Sequence, residues 1–338
     1  MMKNQTENPR LRIEVIEGDA TFIEADVLAL KYAQTHYGLD IFVADRLCKA
    51  GYSEDAMRPK SGEYRLHPGV PGVATKSILF VGVNPLWAFD YHQIRVFARR
   101  VLSTLARELP NTQSLVVTVH GPGYGLDEDE AFESQLAGFL EAVDSSNAPD
   151  RLEVITFAER NKGRASRLRK TLESIVPSSM SFKQDSGLFE GAESEMRERL
   201  RAAGYASASK NHVFVAMPFS EEFDDVYHYG IQNAVNSAGL LCERVDISSF
   251  TGDVVDRVKK RIRSASLVVA DLSGANPNVF LEVGFAWGCG VPTVLLAKDS
   301  TELRFDVQGQ RCLIYKKIKE LEEKLSTELV KLNVKDRS

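Results

Sequence analysis

One acidic side chain stands alone in an apolar part of the sequence. Glu282 is the only charged residue between Asp271 and Lys298. Burying an unpaired carboxylate is unfavourable by several kcal/mol, or it forces the pKa of the group upward. Glu282 could instead pair with a basic residue such as Arg261 or Arg263, or lie at the protein surface. If it faces a cleft, its carboxyl group could act as a nucleophile or stabilise an oxocarbenium-like transition state at a ribose C1′.

The residues around Glu282 predict where such a cleft would lie. Asp271 follows the apolar segment Leu267–Ala270, and ligands of open α/β sheets bind at the carboxyl ends of the strands. Asn276 is a favourable N-cap, and the proline after it suits the first position of a helix. The helix predicted over Pro277–Gly290 is apolar on nearly every side, which is typical of a buried helix. Glu282 is therefore predicted to lie on a buried helix that begins beside a strand end.

The first half of the chain alternates apolar and amphipathic segments. Its predicted strands are Leu11–Ile16, Val27–Lys31, Ser77–Val83, Ser114–Val119 and Leu152–Phe157. The predicted helices between them are Gly38–Lys49, His92–Leu109, Glu128–Val143 and Gly163–Ile175. Strands rich in Val, Ile and Leu are typical of sheets that are buried on both faces. The alternation predicts a parallel or mixed sheet covered by helices.

A second unit of the same type is predicted after a polar stretch. Its strands are Val213–Ala216, Leu240–Val245, Leu267–Ala270, Thr293–Leu296 and Cys312–Tyr315. Its helices are Asp224–Ala238, Gly252–Ala265, Pro277–Gly290 and Ile318–Leu332. We therefore predict an α/β protein with a first domain over 9–176, a linker with one short helix over 177–208, and a second domain over 209–332.

Composition argues against several classes of function. The net charge of −5 argues against nucleic-acid binding, which needs clustered Lys and Arg. No apolar run reaches the roughly 20 residues of a membrane helix, and the polar segment Met1–Arg10 is unlike a signal peptide. The four cysteines and six histidines lack the spacing of metal ligands. We expect a cytoplasmic protein with free thiols, no membrane or direct nucleic-acid partner, no metal and no cofactor.

Two motifs of the second domain resemble a known superfamily. Val213–Phe219 reads VFVAMPF, and Ala270–Ala286 contains ADLS followed by NPNVFLEVGFA. Over about Lys210–Tyr315, the chain is similar to the bacterial TIR-like and nucleoside 2-deoxyribosyltransferase-like group. The resemblance implies a flavodoxin- or Rossmann-like, TIR-type parallel sheet in which a nucleotide is bound.

The resemblance also implies roles for individual residues. Glu282 matches the helix glutamate that attacks or stabilises the anomeric carbon, so it would be catalytic. The implied substrate-binding residues are Met217, Pro218, Phe219, Asp253, Asp271, Ser273 and Asn278. Deoxyribosyltransferases carry a second acid just after the strand-end aspartate, where Leu272 and Ser273 stand in this chain. A second acid could come from Asp246 or Asp306.

The first domain resembles macro domains, which bind ADP-ribose and related nucleotides. Ile13–Ala20 and Ile23–Leu30 are similar to their opening strands, and His120–Gly125 reads HGPGYG, like the glycine-rich loop that wraps a diphosphate. The ligand-binding residues implied by the resemblance are Asp19, His120, Gly121, Gly123, Tyr124 and Gly125. A plain β-to-α turn would explain the same glycines.

Other positions of the first domain refine this expectation. Macro domains that cleave ADP-ribose carry an asparagine-rich segment after the second strand, whereas Ala29–Ala33 reads ALKYA here. We therefore expect a binding or sensing module, not a second enzyme. Asp26 is expected to be structural.

Together these observations predict an N-glycosidase. The first hypothesis is a TIR-like enzyme that cleaves the nicotinamide–ribose bond of its substrate NAD, by hydrolysis or with a cyclic ADP-ribose-type product. It would serve antiphage defence in bacteria and be gated by the first domain or by assembly into a homo-oligomer. The alternatives are a receptor or scaffold that binds nucleotides without turnover, and a hydrolase of nucleoside or nucleotide N-glycosidic bonds.

Overall fold

A computed structural model describes residues 11–85, 88–122, 125–176, 194–245, 254–298 and 312–332. The chain forms two compact units. Unit 1 comprises Met1–Gly121 and Glu128–Ser207, and unit 2 comprises Pro122–Asp127 and Ala208–Ser338. Each unit contains a sheet covered by helices, so the predicted α/β class is confirmed.

Unit 1 is built on a six-stranded sheet in the order β1-β6-β5-β2-β4-β3. The strands are β1 Arg12–Glu17, β2 Val27–Tyr32, β3 Tyr64–Pro68, β4 Ser77–Gly82, β5 Ser114–Val117 and β6 Val154–Glu159. The helices are α1 Leu39–Lys49, α2 Tyr91–Glu108, α3 Glu128–Asp144, α4 Lys162–Ile175 and α5 Ser194–Ala202. All strand pairs are parallel except β3 with β4.

The predicted strands and helices of unit 1 are confirmed to within one or two residues, but β3 was not predicted. Strand β3 lies at the edge of the sheet and contains Arg65, His67 and Pro68, so it has no apolar run to reveal it. In contrast, all six residues of the interior strand β2 are buried, as expected for a strand covered on both faces.

Helix α5, which was predicted within a linker, belongs to unit 1. The buried side chain of Arg95 on α2 donates hydrogen bonds to the carbonyl oxygens of Leu200 at 2.8 Å and Ala203 at 2.5 Å. Arg199 on α5 forms an ion pair with Glu133 on α3. Arg95 therefore satisfies carbonyl groups at the carboxyl end of α5 that the helix itself leaves without partners.

Unit 2 is built on a five-stranded parallel sheet in the order β11-β10-β9-β7-β8. The strands are β7 His212–Ala216, β8 Leu241–Glu243, β9 Leu267–Asp271, β10 Thr293–Ala297 and β11 Cys312–Ile314. The helices are α6 Glu221–Asp225, α7 Asn233–Ser237, α8 Val254–Ser264, α9 Pro277–Gly288 and α10 Ile318–Leu332, with a π-helix over Val226–Gln232. If the five strands are numbered 1 to 5 along the chain and read from the β8 edge, their order in the sheet is 2-1-3-4-5. This is the doubly wound order of flavodoxin-like sheets.

The single α-helix predicted over Asp224–Ala238 is wrong. The structure has α6, the π-helix and α7 in succession. A side chain on Gly230 within the π-helix would meet Leu321 of α10 at 2.8 Å, so a close helix contact occurs at this point. Hydrophobic spacing does not distinguish an α-helix from one with a wider turn, which explains the error.

Helix α9 is also less enclosed than predicted. Val279, Val283 and Ala286 are buried in the core beneath the helix, but Leu281 is 69% exposed and Trp287 is 39% exposed. Among the described residues, the sheet and α8 pack against one side of α9. Apolar residues on every side of α9 therefore do not show that every side is buried. Glu282 lies on the buried side.

Candidate functional site

The strand order of unit 2 predicts a ligand-binding crevice at the carboxyl ends of β7 and β9. These strands are neighbours. The chain leaving β7 enters α6, which packs with α10 on one face of the sheet, whereas the chain leaving β9 enters α9 on the opposite face. Adjacent strands whose connections leave towards opposite faces form a topological switch point, where open α/β sheets bind ligands. We call this region the β7–β9 crevice.

Glu282 is buried and has no hydrogen-bond or ion-pair partner among the residues that the structure describes. Glu282 lies on α9, and the residue is 8% exposed. Burial raises the pKa of this carboxyl group from 4.5 to about 8, because the ionised form is penalised by desolvation. At neutral pH the group is therefore mostly protonated, and a small change in its surroundings would change its ionisation.

The two alternatives for Glu282 are wrong. Arg261 pairs with Glu243 at the end of β8, and the Arg263 guanidinium lies 5.6 Å from the centre of the Phe285 ring. Neither arginine is paired with Glu282. A surface position is excluded because Glu282 is more than nine-tenths buried. That the Glu282 carboxyl group faces a cleft stays a prediction.

Asp271 and Ser273 organise the loop after β9. The fully buried Asp271 carboxylate accepts hydrogen bonds from the Ser273 backbone N–H at 3.0 Å and from the Tyr315 hydroxyl at 2.6 Å. Burial raises the pKa of Asp271, although the hydrogen bonds from Ser273 and Tyr315 oppose that rise. The Ser273 hydroxyl oxygen in turn accepts the Lys298 backbone N–H at 2.9 Å. Contact of Asp271 and Ser273 with sugar hydroxyls stays a prediction.

A tight turn connects this loop to α9. Gly274 and Ala275 both have left-handed backbone conformations, with φ of 74° and 48°. That conformation is uncommon for a residue with a side chain, so Ala275 carries local strain of the kind that clusters at functional sites. The predicted N-cap is confirmed, since the Asn276 side-chain oxygen accepts the Asn278 backbone N–H at 2.9 Å. The side chain of Asn278 is exposed at the start of α9, where the implied substrate contact remains a prediction.

The loop after β7 lies at the carboxyl end of that strand, next to the end of β9. Met217 and Pro218 are buried, whereas Phe219 is 38% exposed. The ring of Phe219 lies 4.5 Å from the guanidinium carbon of Arg244, which directly follows β8. Sequence reasoning missed Arg244. The signal was a basic residue near the carboxyl end of the predicted strand Leu240–Val245, at the edge of the sheet where ligands bind.

Some residues predicted to bind substrate lie outside the described part of the chain. Asp253 is one of them, and so are both candidates for a second acid, Asp246 and Asp306. Their roles stay predictions.

In unit 1, both Asp19 and Asp26 accept hydrogen bonds from other residues of the unit. Asp19 caps a short 3-10 turn, and its carboxylate accepts the backbone N–H and the hydroxyl of Thr21 at 2.9 and 2.7 Å. Asp26 accepts hydrogen bonds from the Lys76 ammonium group at 2.7 Å and from the backbone N–H groups of Gln113 and Ser114. Asp26 thus joins β2 to the start of β5, which is the structural role predicted for it.

The glycine-rich segment after β5 is described only in part. His120 is buried, its ring centre lies 4.7 Å from that of Phe97, and its Nε2 atom has no hydrogen-bond partner. Burial, with a smaller effect from the Lys31 charge, lowers the pKa of His120 well below its ordinary value. Gly121 and Gly125 have left-handed φ values of 115° and 91°, which favour glycine. Gly123 and Tyr124 lie outside the described residues.

The predicted loop does not belong wholly to the first domain, because Pro122–Asp127 falls in unit 2. A side chain on Gly125 would meet Val245 at 2.5 Å within that unit. Close packing is therefore a sufficient reason for glycine at this position. The ligand-binding role predicted for Gly125 has no separate support from its geometry.

Unit 1 also contains a set of buried polar groups of which the sequence singled out only His120. Among the described residues, the buried side-chain atoms without a hydrogen-bond partner belong to His36, Asp40, Arg46 and His120. Asp40 lies in the first turn of α1, and burial raises the pKa of its carboxyl group to about 6. Such atoms are uncommon in folded proteins.

Solved structures of two kinds resemble parts of this chain. The macrodomain of Trypanosoma brucei in complex with ADP is 17% identical, with a TM-score of 0.38 over 47% of this chain and 68% of that one. The Oceanobacillus iheyensis macrodomain with ADP is 15% identical, with a TM-score of 0.39 over 50% and 94%. A CMP N-glycosidase of Clostridium botulinum is 22% identical, with a TM-score of 0.30 over 35% and 100%. No protein-family model matches the chain, and no curated protein matches it.

The described residues contain no cluster of three or more His, Cys, Asp or Glu side chains arranged to hold a metal ion. None of the described helices is both long enough and apolar enough to cross a membrane.

Proposed function

We propose that unit 2 is an N-glycosidase that cleaves the bond between a base and C1′ of a ribosyl nucleotide, with NAD as the leading substrate. The observation that carries this proposal is the Glu282 carboxyl group, which is buried on α9 without a partner among the described residues. A strongly perturbed acid beside a ligand crevice is a candidate catalytic group. The β7–β9 crevice provides the space for the nucleotide.

The ionised form of Glu282 suits a substrate that carries positive charge. The nicotinamide ring of NAD is a cation, and cleavage of its bond to C1′ leaves neutral nicotinamide, which takes the bonding electron pair. The developing oxocarbenium ion is also positive. A cation close to Glu282 lowers the pKa of the carboxyl group and so favours the carboxylate that must face C1′. Water then adds to C1′, either directly or after a glycosyl ester with Glu282, and releases a proton.

The protonated form of Glu282 supports a second candidate, the hydrolysis of nucleotides with a neutral base. With a pKa of about 8, the carboxyl group holds a proton at neutral pH. It could donate that proton to the departing base, because a base such as cytosine would otherwise leave as an anion. The resulting carboxylate would then face the positive sugar.

Nicotinamide release is the direct test of the leading substrate. Wild-type protein incubated with NAD should release nicotinamide, and Glu282→Gln should not, because the amide cannot ionise. Glu323→Gln, which replaces an exposed acid on α10, is the matched control and should retain activity. Equal nicotinamide release by wild type and Glu282→Gln would refute the catalytic role.

The pH profile separates the two roles of the acid. If Glu282 acts as a carboxylate, kcat/KM should rise with pH up to about 8, since ionisation increases through that range. If it acts as a proton donor, kcat/KM should fall above about pH 8. A base-release screen that includes CMP and purine nucleotides identifies the substrate in the second case.

We also propose that unit 1 is a nucleotide-binding module that gates unit 2 in antiphage defence. The buried polar atoms of Asp40 and His120 support a polar ligand in this unit. Calorimetry should detect ADP-ribose binding to the full chain. Nicotinamide release per molecule should rise with protein concentration if assembly completes the site. Binding of ADP-ribose with no product from any nucleotide would instead favour the receptor or scaffold function.

A further inference from the structure

A guanidinium group lies at the same end of the sheet as the β7–β9 crevice but has no part in the chemistry proposed for Glu282. Arg244 directly follows β8, and its side chain is 12% exposed. Its guanidinium carbon lies 4.5 Å from the centre of the Phe219 ring and 4.0 Å from that of Tyr227. Two aromatic rings therefore fix the position of the cation.

Among the described residues, one partly exposed carboxylate lies within ion-pair distance of Arg244. Its Nη2 atom lies 3.4 Å from Asp224, which is 43% exposed, and its Nη1 atom lies 3.7 Å from the sulfur of Met217. Arg244 has no second carboxylate within ion-pair distance among the described residues. A guanidinium group carries five N–H donors. Its aromatic contacts hold it in place, and donors remain for an anion.

The π-helix contributes to this arrangement. It contains Tyr227, whose hydroxyl group donates a hydrogen bond to the Cys242 carbonyl oxygen at 3.3 Å. The tyrosine is thereby fixed beneath the guanidinium group, close to the end of β8. Short π segments within helices occur frequently at functional sites. The irregular backbone and the positioned cation thus coincide at one strand end.

The sheet relates Arg244 to Glu282. Strands β8 and β9 flank β7, so their ends are separated by two strand spacings, on the order of 10 Å. Arg244 contacts residues on the α6 face, and Glu282 lies on α9 against the other face. A ligand in the β7–β9 crevice can reach both faces over the end of β7.

We propose that Arg244 binds the 5′-phosphate of the substrate, so that the site accepts nucleotides in preference to nucleosides. Arginine matches the geometry of phosphate because its planar group donates two parallel hydrogen bonds. This inference rests on the function proposed for Glu282, since it assumes that the sugar lies in the same crevice. The assignment makes Arg244 a specificity-determining residue.

Binding measurements test the assignment without turnover. Calorimetry on the inactive Glu282→Gln variant compares nicotinamide mononucleotide with nicotinamide riboside, and CMP with cytidine. In whichever of these two pairs the site binds, we expect the nucleotide to bind about 10- to 100-fold more tightly than the nucleoside. Adding Arg244→Met should abolish that advantage and leave nucleoside affinity unchanged, which also shows that the variant is folded. Arg263→Met is the matched control, because Arg263 also lies over a phenylalanine ring.

The outcomes separate this assignment from the proposed reaction. A phosphate preference that persists in Arg244→Met, no preference in the parent variant, or no binding of either pair would overturn the assignment. If the wild type releases no base but the phosphate preference depends on Arg244, the phosphate site is correct and the glycosidase proposal is wrong. If the wild type is active and treats nucleosides and nucleotides alike, the glycosidase proposal is correct and the phosphate site is wrong.

Discussion

Replacing Glu282 by glutamine should stabilise unit 2 at alkaline pH, even though it should abolish activity. Glutamine has the shape of the protonated acid but cannot ionise. In the wild type, the unfolded chain loses the proton near its ordinary pKa of 4.5, whereas the folded protein retains it up to a pKa of about 8. The stability associated with this group is therefore fully present below 4.5 and is lost as pH rises towards 8.

The size of the effect follows from the difference between those two pKa values. Each pKa unit corresponds to about 1.4 kcal/mol of unfolding free energy, so the maximum loss is about 5 kcal/mol. The loss should be complete just above pH 8. A loss of that order is a large fraction of the stability of an ordinary domain. Below about pH 4.5, glutamine and the protonated acid should be nearly equivalent.

Urea unfolding at a series of pH values measures this difference. Glu282→Gln should have nearly the same unfolding midpoint as wild type at about pH 4.5 and a clearly higher one at about pH 9. Glu323→Gln provides the control, because that acid is exposed on α10 and should show no such divergence. Parallel pH dependence of wild type and Glu282→Gln would show that the Glu282 carboxyl group does not have the raised pKa on which the proposed function depends.

Four other substitutions test the hydrogen bonds and packing within the two units. Tyr315→Phe should lower the unfolding free energy by about 1–3 kcal/mol in urea, because it leaves a buried Asp271 oxygen without its donor. Asn276→Ala should cost about 1 kcal/mol by the same measurement, since it removes the N-cap of α9. Gly138→Ala should cost about 1–3 kcal/mol or prevent folding, because the added carbon would lie 2.3 Å from a carbonyl oxygen of α2. Gly163→Ala, whose nearest neighbour is a side-chain atom at 3.3 Å, should be nearly neutral by thermal unfolding.

Local signals predicted much of the site. The Asn-Pro pair at 276–277 predicts the start of α9 because a side-chain cap and a fixed φ both act within one turn. The isolation of Glu282 among apolar residues predicted a perturbed acid, since charge and hydrophobicity are properties of the sequence itself. Arg244 was missed because its importance depends on Phe219 and Tyr227, which are distant from it in sequence.

The errors concern features that depend on neighbours in space. The edge strand β3 is recognised by its pairing with β4, and pairing does not require an apolar run. The exposure of Leu281 depends on which elements cover α9, and its apolar character does not reveal that. The π-helix depends on backbone hydrogen bonds that side-chain spacing does not determine.

The sequence by itself determined the alternation of strands and helices, the cap of α9 and the presence of one lone acid, because each arises from residues close together in the chain. Only the tertiary structure decided that Arg261 pairs with Glu243, and that Glu282 has no partner among the residues that the structure describes. It also decided that the connections from β7 and β9 leave towards opposite faces of the sheet. Those outcomes depend on strand order and packing, which bring together groups that the sequence keeps apart.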